Sequence, residues 1–247
     1  MPVLLDTAYF PPIQYFAALS ADCRRCNFSL SGRDVSSCFF YLEACENYQK
    51  QSYRNRCNFY SASGMQSLSF PVVHEAGMHN VPVSRIRVDY STPWLTRHKR
   101  AIVSAYRTSA YFEYYQDELF EVLDRRPDTL WELNLSIIRF FLDKLGLPVE
   151  PRMTVDFTRS GKICSGDGCV SGYDSVWDGF PYNETLGACD LREVIHPKRK
   201  DDIMHRLGLE KPYFQVFARK YGFIPNLSIM DLLFNEGPDA ISYLIRA

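Results

Sequence analysis

Two successive prolines, Pro11 and Pro12, divide the start of the chain into two kinds of structure. Val3, Leu4 and Leu5 form a short apolar run that closes at Asp6, and Tyr9-Phe10-Pro11-Pro12 must turn, because proline has no amide to give to a sheet interior. Residues 13–19 then carry an apolar face at helical spacing, and prolines are well suited to the position where a helix begins. Cys-Phe-Phe-Tyr-Leu at 38–42 has the aromatic content of a buried strand. Laid beside the first strand it completes a right-handed βαβ unit. The expected fold class is therefore α/β, with a mixed sheet in the N-terminal part and a helical middle and C-terminal part.

The next segments extend that reading. Residues 57–60 and 66–73 flank Ser61-Ala62-Ser63-Gly64, which predicts a hairpin with Pro71 toward a strand edge. Residues 85–89 alternate Ile86 and Val88 with charged neighbours, the pattern of a half-buried strand. Helices are expected over 94–106 and 111–123. A longer one follows Pro127, capped by Asp128, with Leu130, Leu133, Ile137, Phe141 and Leu145 on its apolar stripe and Gly146 and Pro148 at its end. Near the C-terminus Ser228 is placed to cap a helix, Asp231 to reach back to it, and Leu227 to pack on Leu232. Gly237 supplies a left-handed end and Pro238 opens another helix. Residues 23–37 read as a polar surface insertion. The glycines of 160–187 predict a long loop region with one short strand around 173–177. All of this is expected to form one domain over 1–247.

Composition removes several classes of function. With 46% hydrophobic and 15% aromatic residues, the 247-residue chain can fill a core and is not expected to be disordered. Its 28 basic and 29 acidic side chains leave a net charge of -1, so nucleic acid is not an expected partner. No signal peptide and no run near about 18 uncharged apolar residues is present, which predicts no membrane span and a cytoplasmic location. The eight cysteines are then expected to be reduced thiols. Cys23 and Cys26 form a C-x-x-C, but Cys38 and Cys45 follow too far apart for a common zinc pattern, so no metal is expected. Ser165-Gly166-Asp167-Gly168-Cys169 lacks the ending of a phosphate-binding loop, and no cofactor motif is found.

The densest polar run lies between two predicted strands, from Glu43 to Arg56, where α/β proteins build sites. Lys50, Arg54 and Arg56 could hold phosphates or a carboxylate, and an extended segment would put Arg54 and Arg56 on one face. Tyr48, Tyr53 and Asn55 interleave the charges. A solvated loop with ordinary surface charges accounts for the same residues equally well. His98 lies on the apolar side of its helix beside Trp94 and Ile102, where a histidine is usually a packing residue; a neutral imidazole there could also serve as a general base. Capping accounts for Ser228 and Asp231, while an amide-rich helix start could equally face a ligand.

Four groups of residues in order carry a family resemblance: Tyr9-Phe-Pro-Pro-Ile-Gln14-Tyr15-Phe16; Glu46-Asn47-Tyr48 through Tyr53-Arg54-Asn55-Arg56-Cys57; Trp94 with His98 and Ala105-Tyr106; and Phe223 through Pro238. Together they resemble the WbqC-like protein family nearly end to end, in the form seen in Bacteroides-type bacteria. The resemblance implies a cytoplasmic transferase in surface-polysaccharide or amino-sugar biosynthesis, moving a glycyl, aminoacyl or related group to an activated sugar. It implies a nucleotide-activated or amino-sugar substrate; the residues expected to hold it are Gln14, Tyr48, Lys50, Arg54, Asn55, Arg56, Gln215, Ser228, Asp231 and Asn235, with His98 as the remaining candidate for the base. A non-catalytic scaffold that binds a glycan precursor or a protein is the alternative. Many relatives open with His-Gln-Pro-x-Tyr where this chain has Thr7-Ala8-Tyr9, and close relatives have histidine in place of Cys45, so neither position can supply an imidazole here. The stretch 23–37 is also longer than in relatives. One cleft gathering Gln14, Arg56, His98, Gln215 and Asn235 is the structural expectation.

Overall fold

The computed structural model describes residues 1–25, 38–73, 81–159, 161–163, 177, 179–200 and 202–245. Strand β1 (Val3–Asp6) is followed by helix α1 (Ile13–Arg25) and strand β2 (Phe39–Glu43), and the two strands pair in parallel with Leu4 opposite Tyr41 and Asp6 opposite Glu43. The strand, turn and helix read from the prolines are thus present. The helix runs on to Arg25, into the segment expected as an insertion, and residues 26–37 lie outside the described residues.

Four further strands complete a six-stranded mixed sheet around this unit. Its order is β5 (Glu150–Met153), β2, β1, β8 (Ala188–Asp190), β7 (Pro181–Asn183) and β6 (Lys162–Ile163). The first four strands are parallel and the last two join antiparallel. Strands β6 and β7 fall inside the expected loop region of 160–187, and the strand expected at 173–177 lies outside the described residues except for Trp177.

A separate hairpin, β3 (Arg56–Ser61) and β4 (Gly64–Ser69), is closed by Ala62 and Ser63, with Gly64 at φ +94 where a side chain would be strained. The strand expected over 85–89 does not form. Its alternation is real, since Ile86 and Val88 are buried, but its backbone is shared among separate segments. Arg87 accepts from the Val73 amide, while the Val88 amide donates to Asp128 and the Leu130 amide to Ile86, so only isolated bridges remain.

Helices α2 (Trp94–Tyr106), α3 (Phe112–Asp124) and α4 (Leu130–Lys144) follow. The cap of α4 is Thr129 and not Asp128: its hydroxyl accepts from the Glu132 amide at 3.1 Å while the Glu132 carboxylate accepts from the Thr129 amide at 3.3 Å. Asp128 lies one residue before the cap, its carbonyl bound by the Val88 amide. Leu130, Leu133, Ile137, Ile138 and Phe141 of α4 are fully buried, each contributing roughly 1.5–3 kcal/mol of burial.

Short helices α5 (Asp202–Arg206) and α6 (Ala218–Tyr221) lead to α7 (Ile229–Glu236) and α8 (Ala240–Ile245). Ser228 caps α7 through the Met230 amide at 3.3 Å. Asp231 does not reach back, because its carboxylate is taken by the Tyr213 hydroxyl at 2.5 Å. Gly237 holds φ +56, and a Cβ there would lie 2.5 Å from the Tyr111 ring, so both backbone and space call for glycine. Among the described residues, Cys38, Cys45, Cys57 and Cys189 form no disulfide. None of the described helices is long and apolar enough to cross a membrane.

Candidate functional site

Three parallel strands end in an acid: Asp6 on β1, Glu43 on β2 and Asp190 on β8. All three therefore sit at the carboxyl end of the sheet, where open α/β folds place their ligands. Two arginines lie among them. Arg54, 1% exposed, grips Glu46 with two hydrogen bonds of 2.8 and 2.6 Å and pairs with Asp6 at 2.8 Å. Arg192 grips Asp190 with bonds of 2.9 and 2.7 Å and pairs with Glu43 at 2.9 Å. Glu43 also accepts from the Thr154 hydroxyl at 2.7 Å and the Thr158 hydroxyl at 3.0 Å.

Burial would lower the pKa of Arg54, but Asp6 and Glu46 outweigh it and raise it, so this guanidinium stays charged. Asp6 moves the other way for a carboxyl. Burial, aided by the neighbouring Glu46 charge, pushes it well above the usual carboxylate range against the pull of Arg54.

Beside Asp6 is a small cavity, lined also by Thr7, Tyr15, Tyr53, Arg54 and Arg192, with about 10 Å³ of room for the centre of a water-sized group. It sits between the loops leaving β1 and β8. The Oδ1 of Asp6 and the Oγ1 of Thr7 are both buried and lack a hydrogen-bond partner among the described residues.

A second, larger opening lies next to it, because Arg54 lines the cavity and its neighbours Asn55 and Arg56 line the opening. This groove offers about 500 Å³ on the same measure. Tyr48, Lys50, Asn55 and Arg56 meet there with Arg97 of α2, over an apolar floor of Phe70, Pro71 and Val72. Phe70 stacks on Trp94 at 5.2 Å, and its carbonyl holds the Asn55 side-chain amide at 2.8 Å. Among the described residues, no ion pair engages Lys50, Arg56 or Arg97, and the buried Nε of Arg56 has no acceptor. Gln51, also on the groove, binds Lys198 through its side-chain oxygen at 2.7 Å.

The expected pairing of Arg54 with Arg56 on one face fails because residues 51–55 turn and are not extended. Arg54 thus points into the protein and Arg56 to the groove.

His98 is elsewhere again. It packs against Tyr9 and Trp94, and its Nδ1 lies 2.9 Å from the Tyr9 hydroxyl. Burial lowers its pKa to about 4, so it is neutral at pH 7. It is not among the residues lining the groove.

Gln14, Gln215, Ser228, Asp231 and Asn235 are also away from the groove, all buried. The Gln215 amide donates to Asp231 at 2.9 Å and to the Ile224 carbonyl at 2.8 Å, and its oxygen accepts from the Ile224 amide at 3.0 Å. Asn235 donates to the Asp231 carbonyl at 2.7 Å. The Gln14 backbone amide donates to Asn226 where α1 meets the start of α7. Burial raises Asp231 to about 6 against the hydrogen bonds of Tyr213, Gln215 and Tyr106. The expected single cleft is therefore not found: of Gln14, Arg56, His98, Gln215 and Asn235, only Arg56 lines the groove.

Asp6, Thr7, Glu43, Glu46, Arg97, Asp190 and Arg192 were not among the site residues expected from the sequence. A signal for three of them was present, since each of the apolar runs Val-Leu-Leu, Phe-Phe-Tyr-Leu and Ala-Cys is closed by an acid.

The fold and these openings define an α/β protein with its polar machinery beyond the carboxyl ends of a parallel sheet. The model of the WbqC-like protein family matches residues 7–243, and the chain belongs to that family. It is also similar to the uncharacterized protein Rv1507c of Mycobacterium tuberculosis, with 25% identity over 203 residues that cover 80% of this chain and 83% of the relative. No solved structure gives a significant match.

Proposed function

We propose that the protein is a transferase acting on a nucleotide-activated or amino sugar in polysaccharide biosynthesis, and that the groove holds the substrate's diphosphate. The observation that carries this reading is the set of three cations, Lys50, Arg56 and Arg97, left without carboxylate partners among the described residues around one opening. A buried guanidinium N–H without an acceptor costs roughly 1–3 kcal/mol, which a phosphate oxygen would offset. The Tyr48 side chain and the Phe70-Pro71-Val72 floor offer apolar surface to a base or sugar ring. His98 is assigned a positioning role, holding Tyr9 and the Trp94 stack behind Phe70.

Calorimetric titration with uridine diphosphate tests the groove. Binding should weaken with added salt, and Lys50→Ala, Arg56→Ala and Arg97→Ala should each lose about tenfold in affinity, or about 1.4 kcal/mol. Uridine bound as tightly as the diphosphate, or three variants like the parent, would count against it. One observation favours a non-catalytic binder instead: no acid or histidine lines the groove among the described residues. Turnover of an activated sugar, followed by mass spectrometry, separates the two readings.

A further inference from the structure

We propose that the cavity beside Asp6 and Thr7 binds a protonated primary amine, and that Asp6 takes up its proton. The size fits first. Room for one water-sized centre admits an ammonium group and little else, so the carrier of the amine must lie outside, toward the opening through which the Asp6 side chain is 14% exposed.

The unsatisfied chemistry fits second. The two orphaned atoms are a carboxylate oxygen and a hydroxyl oxygen, both acceptors, and Thr7 is only 1% exposed. Of the donors nearby, the Nε and Nη2 of Arg54 are engaged by Glu46 and Asp6, and Arg192 is engaged by Asp190, Glu43 and the Thr158 and Arg159 carbonyls. An anion could take the Thr7 hydroxyl as a donor but would lie against the Asp6 carboxyl, whereas an ammonium brings three donors to these two acceptors.

Charge fits third. Among the described residues Asp6, Glu43, Glu46 and Asp190 form ion pairs with Arg54 and Arg192 alone, an excess of two negative charges when all are ionised. An empty site relieves that excess by holding Asp6 protonated, which agrees with the upward shift caused by burial and Glu46. Tyr15 adds no charge; its hydroxyl donates to the Asp6 carbonyl at 3.3 Å. An ammonium replaces that proton, so amine affinity should rise with pH through the Asp6 titration.

In the chemical step the proton passes from R–NH3⁺ to the Asp6 carboxylate, giving R–NH2 and a neutral carboxylic acid. The freed lone pair then attacks the carbonyl carbon of an acyl donor R'CO–X held at the cavity mouth; as the C–N bond forms the C–X bond breaks, X leaves with the nitrogen's second proton as HX, and Asp6 returns its proton to solvent. The step supplies the base that the groove lacks. It rests on the proposed transferase reading only for the identity of the amine's carrier.

Calorimetric titration of the whole protein with glucosamine and with N-acetylglucosamine tests the site. Glucosamine should bind at least about tenfold more tightly, and Asp6→Asn should abolish that preference. Thr7→Val, which keeps the shape and removes one acceptor, should weaken glucosamine about fivefold; it carries the test if thermal melting shows Asp6→Asn unfolded. Equal binding of the two sugars by the parent protein, or a preference that survives in the folded variants, overturns the proposal. Uridine diphosphate titrated alongside keeps the two readings apart. Loss of amine binding in Asp6→Asn with the nucleotide bound as before supports the amine site, and an amine preference in a protein that ignores the nucleotide removes the groove reading alone.

Discussion

Replacing Arg54 with methionine should unfold this protein more readily by an amount set by its two acid partners. Arg54, itself 1% exposed, makes bonds of 2.8 and 2.6 Å to Glu46 and one of 2.8 Å to Asp6. Removing one member of a buried pair costs about 3–5 kcal/mol, because the remaining charge is left uncompensated. Protonation sets an upper bound. Neutralising a carboxyl of ordinary acidity at pH 7 costs about 1.4 kcal/mol per unit, or roughly 4 kcal/mol in all, and the chain takes that route when the buried charge costs more. The loss should therefore be about 3–4 kcal/mol at pH 7, a fall in melting temperature of roughly 6–16 °C for a chain of this size. It should shrink as the pH is lowered to 5, because the orphaned acids are then cheaper to protonate. Glu46→Gln added to Arg54→Met should recover part of the loss. Thermal melts followed by circular dichroism at pH 5, 6 and 7 measure all of this. A loss below about 1 kcal/mol, or one that does not change with pH, would refute the view of Arg54 as a structural ion-pair partner.

Other perturbations separate structure from site. Lys50→Ala, at an exposed groove position, should change stability by no more than about 0.5 kcal/mol in the same melts. Thr129→Ala removes the hydroxyl half of the α4 capping box and should cost about 0.5–2 kcal/mol in urea unfolding. His98 and Asp231 should oppose each other in acid. His98, lowered to about 4, takes up a proton more easily unfolded, so its contribution to stability is lost as pH falls from 6.5 toward 4. Asp231, raised to about 6, binds its proton more tightly when folded, so its contribution grows as pH falls from 6 toward 3.8. Urea midpoints between pH 4 and 7 should accordingly lose their acid-side fall in His98→Gln and steepen it in Asp231→Asn.

Features set by neighbouring residues were legible in the sequence. The prolines before α1, the Gly64 turn, the apolar stripe of α4 and the cap at Ser228 each depend on a few adjacent positions. Strands β5 and β8 were not legible, because they are four and three residues long and are made by pairing across more than a hundred residues of chain. The same limit explains the bridges at 85–89, where alternation marked burial correctly but said nothing of the partner. For the site, Arg54 and Arg56 look alike in sequence, two cations one residue apart. The turn over 51–55 sends one to buried carboxylates and the other to open space, and no spacing rule distinguishes them. Gln215 and Asp231 were marked for their polarity, which here serves to satisfy one another inside the protein.

The groove is tested most directly by a crystal structure of the protein grown with uridine diphosphate. The phosphates should lie within hydrogen-bonding distance, about 3 Å, of Lys50, Arg56 and Arg97, with the Nε of Arg56 donating to one of them. A nucleotide bound elsewhere, or a groove left empty at saturating ligand while these three side chains keep their present positions, would contradict the assignment.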